Sequence, residues 1–140
     1  MDLSTINYFA VVAAVAVGFP IGFLWYGPLF GEQWMVCVGL TEDKIQQGSN
    51  MTKVFGVTPV FQSIMVLFLA LFFYGDPAST DLITAGSSAF YGFLAGFGWV
   101  AMTIGVNAAF EQQSFRYTAI VGGYWIVVFT LMGLILDAWK

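Results

Sequence analysis

The chain has 140 residues, of which 59% are hydrophobic and only 9% are charged. A soluble domain usually carries about 25% charged residues, so this composition excludes a soluble fold and makes lipid the solvent for much of the surface. The net charge of −4 comes with no basic stretch, which argues against nucleic acid as a partner and against anchoring to anionic lipid through a polybasic segment.

Two absences narrow the chemistry. The chain has no histidine, which removes His-based triads, His metal sites and His proton switching. Cys37 is its single cysteine, so neither an intramolecular disulfide nor a thiolate metal cluster is available. No catalytic, cofactor-binding or metal-ligating constellation is visible, and no cofactor is expected.

The length fits one compact unit, and residues 1–140 read as a single membrane domain. A helix needs roughly 20 apolar residues to cross the bilayer core. The first run of that length covers residues 6–27 and has Asn7 as its one strongly polar member. Ala14-Val15-Ala16 resembles a signal-peptidase site, but no positive segment precedes the run, so it reads as a retained helix. Ala10, Ala14, Gly18 and Gly22 place a small residue at every fourth position. Such a face lets helix backbones approach closely, in the bundle interior or at a subunit contact. Pro20 removes a hydrogen bond inside the helix and is expected to kink it.

The first connection, residues 28–53, is the long one. Pro28 and Gly31 end the first helix. An interfacial segment over residues 34–47 follows, with Thr41 as N-cap and Glu42 and Asp43 favourably placed against the dipole of a short surface helix. Cys37 lies among Val36, Val38 and Leu40, where a small apolar packing role fits it.

The second run covers residues 54–74, with Pro59 one turn in and Gln62 and Ser63 deeper. A tight turn around Asp76-Pro77 leads to the third run, residues 82–110, which is uncharged and longer than a perpendicular span requires. Ser88, Gly92 and Gly96 repeat the small-residue spacing there. Thr103 and Asn107 share a face, and Glu111 follows Asn107 by four positions. Gly96-Phe-Gly-Trp99 also resembles Gly22-Phe-Leu-Trp25, a hint of internal duplication. A second tight turn, residues 111–116, opens the fourth run, residues 117–136.

Backbone in lipid must satisfy its own hydrogen bonds, so these runs are expected as helices. The fold class is therefore all-α integral membrane: four transmembrane helices in an up-down bundle, with a short interfacial or surface helix between helices one and two. Trp25, Tyr26, Trp34 and Tyr117 form an aromatic belt at one lipid interface, and Tyr8, Tyr74 and Trp139 form the other. Lys44, Lys53 and Arg116 fall on the face of connections 28–53 and 111–116, against Lys140 on the face of the termini. The positive-inside rule then puts those connections in the cytoplasm and the termini outside. Asp2, Asp76, Asp81 and Asp137 fall on the terminal face and contribute little to the rule.

Polar residues define the candidate sites. Glu32, Asn107, Glu111 and Arg116 would cluster at one membrane surface as a polar mouth or docking site, with Glu111 and Arg116 as an ion pair; the alternative is that they satisfy helix ends. Gln62, Ser63 and Thr103 would line an intramembrane polar path. No span carries a deep charge, which argues against an ion-coupled pump built from one subunit.

The block Trp25, Tyr26, Gly27, Pro28, Phe30, Gly31 and Trp34, with the Leu-Thr-Glu of Leu40 to Glu42, resembles a signature of a bacterial membrane family, domain of unknown function 1761. A second signature, N-x-x-F-E-x-x-S, is matched by Asn107, Phe110, Glu111 and Ser114, and Gly123-Tyr124 and Met132-Gly133 match in helix four. The resemblance implies a four-helix protein of the inner membrane and no established activity. The chain departs from the family where Gly-Arg would follow the helix-three Glu, and has Gln112-Gln113 there.

The reading is a small polytopic protein, non-enzymatic, that works through the lipid bilayer and other membrane-protein chains as an accessory subunit or homo-oligomer. The alternative is a small transporter or channel for an unidentified solute.

Overall fold

The computed structural model describes residues 3–48, 51–76 and 83–139. Asp2, the Pro77–Asp81 part of the second connection, Leu82 and Lys140 lie outside the described residues, as does the Lys53 side chain. All regular structure among the described residues is helical, with no strand. Four helical stretches are long and apolar enough to cross a membrane: Tyr8–Leu29, Phe55–Tyr74, Gly86–Phe110 and Phe115–Ala138.

The first stretch begins with α1 (Tyr8–Leu24), which starts where Asn7 accepts hydrogen bonds from Phe9 and Ala10 backbone N–H groups at 3.0 and 3.4 Å. Asn7 is thus the N-cap rather than a member of the span. The helix continues unbroken through Pro20. The break comes later, in a π-helical turn over Trp25–Leu29 whose Gly27 departs from helical geometry (φ −103°, ψ −105°). Pro28 cannot donate a hydrogen bond, and Phe30 N–H instead reaches Trp25 O at 2.9 Å.

Two short helices fill the first connection. They are α2 (Gly31–Val38), closed by left-handed Gly39, and α3 (Glu42–Gly48), where Lys44 N–H lies 3.4 Å from the Thr41 hydroxyl. The second stretch is α4 (Met51–Tyr74), continuous through Pro59. The third comprises α5 (Ala85–Ala95), a π-helical segment at Gly96–Ala101, and α6 (Met102–Phe110). The two Gly-Phe-x-Trp matches therefore both end in a tryptophan at a π-helical segment. The fourth is α7 (Phe115–Ala138), capped by the Ser114 hydroxyl, which accepts from Tyr117 N–H at 3.2 Å.

Helix α7 is the hub, packing against α1 on one side and α5, the second π segment and α6 on the other. Contacts with α1 climb one helix as they descend the other. The Asn7 amide donates to Trp139 O, the Tyr124 hydroxyl to Gly18 O at 3.0 Å, and the Trp25 indole N–H to Ile120 O at 2.9 Å. With the third stretch the backbones touch. A Cβ at Gly92 would collide with Phe129 O, and one at Gly133 with Ser88 O. Ala10, Ala14, Gly18, Ser88, Gly92 and Gly96 are all buried, and Gly22 is half-buried.

Helix α4 is held differently. It leans on α1 and barely meets α7. Val66, Leu69, Ala70, Phe73 and Tyr74 in its second half are buried. Between Phe55 and Met65 the sole buried residue is Gln62. The first half of α4 therefore meets its neighbours at few points, with Phe55 stacked on Phe19 of α1 at 6.3 Å and Gln62 lying on Gly18.

Candidate functional site

The signature of the first helix and the Gly-Tyr of the fourth form one structural unit. Tyr26 packs on Tyr124 with ring centroids 5.2 Å apart and on Trp34 at 5.4 Å. Trp25 packs on Phe30 at 4.7 Å and lies against Gly123, where a Cβ would fall 3.1 Å from the indole. Gly31 is required by the fold-back of the chain, because a Cβ there would lie 2.6 Å from Tyr26 O. Lipid anchoring does not account for this cluster. Trp25, Tyr26 and Trp34 are partly covered by protein, and Trp25 spends its indole N–H on the backbone of α7. At the other end Tyr74 is also buried, with its hydroxyl 3.4 Å from Asp137 Oδ1.

The second signature shapes a turn. Glu111 N–H bonds Asn107 O at 2.9 Å, Gln113 N–H bonds Ala108 O at 2.8 Å, and Gln112 adopts a left-handed conformation (φ 58°). That geometry belongs to the residue just past a helix C-terminus, where glycine is the low-cost choice. The glycine that the resemblance leads one to expect after Glu111 would fill this position without strain. Across this turn lies α2, with Cys37 Sγ 3.5 Å from Ser114 Oγ, so connections one and three meet.

Of the predicted polar mouth, Glu32, Asn107, Glu111 and Arg116 are all exposed. Arg116 lies beside Trp25, Phe30 and Gln33 in one shallow groove and beside Cys37 and Gln112 in another; neither groove includes Glu32, Asn107 or Glu111. No ion pair joins Glu111 to Arg116.

The predicted polar path is not assembled. Ser63 and Thr103 lie on the outer surface, and the Thr103 hydroxyl donates to Trp99 O at 2.6 Å within its own helix. Gln62 alone points inward. It is 2% exposed, and its carbonyl Oε1 has no hydrogen-bond partner. Its carboxamide lies on Gly18, where a Cβ would be 2.7 Å from Nε2. A buried amide oxygen left without a partner costs about 1–3 kcal/mol. Sequence reading placed Gln62 in the span without distinguishing it from Ser63. The signal was the neighbouring small-residue face of α1, which makes room for an amide at Gly18.

Among the described residues, no three His, Cys, Asp or Glu side chains stand close enough together to hold a metal ion. The chemistry on offer is hydrogen bonding inside an apolar, aromatic setting.

Residues 9–137 match the model of a protein family described as "Protein of unknown function (DUF1761)". The chain belongs to this family. Neither a curated protein nor a solved structure is similar enough to match it. The match takes in both signatures, the aromatic unit around Trp25 and the turn at Gln112, as well as Gln62. DUF1761 carries no assigned activity in its description, so function has to be argued from the geometry of this chain.

Proposed function

We propose that this DUF1761 protein is a multi-pass protein of the cell membrane that acts without catalysis, through contacts with other membrane chains, as an accessory subunit or homo-oligomer. In this reading its four spans form an up-down bundle. The helices α2 and α3 lie along the cytoplasmic interface, and the termini are outside.

One observation carries the reading. A groove of about 380 Å³ runs between α4 and the second π segment, lined only by apolar residues, among them Ile64, Phe68, Phe72 and Trp99. Phe68, Phe72 and Trp99 are 62–67% exposed there. Lipid tails are as apolar as side chains, so greasiness alone drives no association in a membrane. Shape does: a grooved face with rigid aromatic walls gives a partner helix holes to fill, which a smooth face does not. The exposed polar residues Glu32, Asn107, Glu111 and Arg116 would supply the polar rim of such a contact at the cytoplasmic end.

The transporter reading lacks its polar path, since Ser63 and Thr103 face outward. The non-enzymatic part of the reading rests on the sequence, which offers no histidine and a lone cysteine.

Mass measurement of the protein in nanodiscs, alongside co-purification from native membranes in mild detergent, tests the proposal. The expected result is a defined oligomer or a stoichiometric partner that is lost on combining Phe68→Ala with Trp99→Ala. A monomer that brings nothing with it from native membranes would overturn it.

A further inference from the structure

The sparsely packed first half of α4 leaves a cleft between itself, α1 and α7. Two grooves, of about 670 and 520 Å³, open on its two sides, and both are lined by Thr58 and Gln62. Gln62 thus sits where they meet. These volumes fall in the range of small-molecule pockets.

The walls define what would bind. No charged side chain lines either groove, so a charged headgroup would lose its hydration for no compensating partner. Most of the lining is aliphatic or aromatic, which suits an apolar body. The exposed Phe23 and Phe55 flank the larger groove on membrane-spanning stretches, so access is from the lipid rather than from water. One polar atom stands out: Gln62 Oε1, an acceptor, buried and without a partner. An acceptor is satisfied by a donor. Tyr124, the nearest tyrosine of α7 to the cleft, already gives its hydroxyl proton to Gly18 O.

We propose that this cleft binds an uncharged, membrane-dissolved amphiphile whose hydroxyl group donates a hydrogen bond to Gln62 Oε1 while its apolar body lies between α4 and α1. The outer groove at Phe68 and Trp99 shares Ile64 and Met65 with the smaller of these grooves but reaches neither Thr58 nor Gln62, so the hydrogen bond to Gln62 is tested apart from the oligomer reading.

The test uses the whole protein in phosphatidylcholine nanodiscs with dodecanol and dodecane as probes, read by the NMR signals of the Gln62 side-chain amide and of the Trp125 indole N–H, since Trp125 lines the smaller groove. Dodecanol should shift the Gln62 amide signal saturably, and dodecane should not. Gln62→Met keeps the side-chain length and removes the acceptor. It should weaken dodecanol binding, followed through Trp125, roughly five- to tenfold, the size of one neutral hydrogen bond. Thr58→Phe keeps Gln62 and fills the cleft, so it should abolish the dodecanol-dependent shift. Equal responses to alcohol and alkane would overturn the proposal. So would a Gln62 shift that survives Thr58→Phe, or a Gln62 amide that exchanges with a trapped water unaffected by dodecanol.

Discussion

The Gln62 carboxamide rests on the bare backbone of Gly18, with Nε2 only 2.7 Å from where a Cβ at position 18 would stand. The small-residue face of α1 thus does two jobs. Ala10 and Ala14 bury against the core, and Gly18 makes room for the polar residue of α4. Gly18→Ala should push the amide aside rather than push the helices apart, because the clashing atoms end a flexible side chain. The expected cost is about 1–2 kcal/mol, and Gly18→Leu should cost more and loosen α4. Thermal unfolding in detergent measures both, and a Gly18→Leu variant as stable as the parent would sink the packing argument.

The contacts of Gly92 and Gly133 are of another kind. Each meets backbone carbonyl oxygen of the neighbouring helix, Phe129 O and Ser88 O respectively. Backbone cannot rotate away, so Gly92→Ala and Gly133→Ala should each cost about 3 kcal/mol or more, the upper end for overpacking. The order matters more than the values. Both should unfold at lower temperature than Gly18→Ala, and the opposite order would contradict the close approach of α5 and α7.

Gln112 occupies a left-handed position that glycine fills without strain. Replacing it with glycine should stabilise the protein by about 1 kcal/mol, the order of the penalty an L residue pays in that region. Unchanged or lowered stability of Gln112→Gly would mean that the turn adopts another conformation. The Gln112 side chain also donates to Ala109 O at 3.1 Å, a contact the variant gives up at little cost because it is exposed to solvent.

The four spans were legible because length and unbroken apolarity mark a membrane helix whatever its neighbours do. Their ends were less so. Helix four was read from Tyr117 and begins at Phe115, because the Ser114 cap fixes it rather than hydropathy. Helix one was read to end at Gly27, whereas the apolar stretch carries on through a π-helical turn to Leu29. The inward face of each span was legible only through small residues. In water an apolar stripe marks the core, but in lipid both faces are apolar and the stripe vanishes. That is why Gln62 and Ser63, adjacent in sequence, could not be told apart, although one is buried and the other faces outward. Pairings between distant residues, such as Trp25 with Ile120 and Gly123, have no local signal at all.

Glu111 and Arg116 are both exposed and share no ion pair. Surface charges of this sort contribute little to stability. Glu111→Gln should therefore leave the melting temperature within the small range of ordinary surface substitutions, about 0.5 kcal/mol. If this end of the protein is a docking rim, the same variant should weaken partner co-purification. Loss of stability with partner retained would instead make Glu111 a structural residue of the turn.

Orientation can be tested at Lys44, which is exposed on α3 at the end where connections one and three meet. In a Cys37→Ser background, Lys44→Cys provides a single thiol on a short exposed helix. In the proposed topology the excess of Lys44, Lys53 and Arg116 over Lys140 assigns this end to the cytoplasm. A membrane-impermeant maleimide should then leave Lys44→Cys unlabelled in intact cells and label it fully once the membrane is permeabilised. Cys37→Ser itself should fold normally, since the thiol is half-buried and a serine hydroxyl keeps the contact with the Ser114 hydroxyl. Labelling of intact cells would reverse the orientation and move the aromatic unit of Trp25, Tyr26 and Trp34 to the outer face. The cleft at Gln62 would keep its access from lipid either way, because it is reached between helices and not from one end of the bundle.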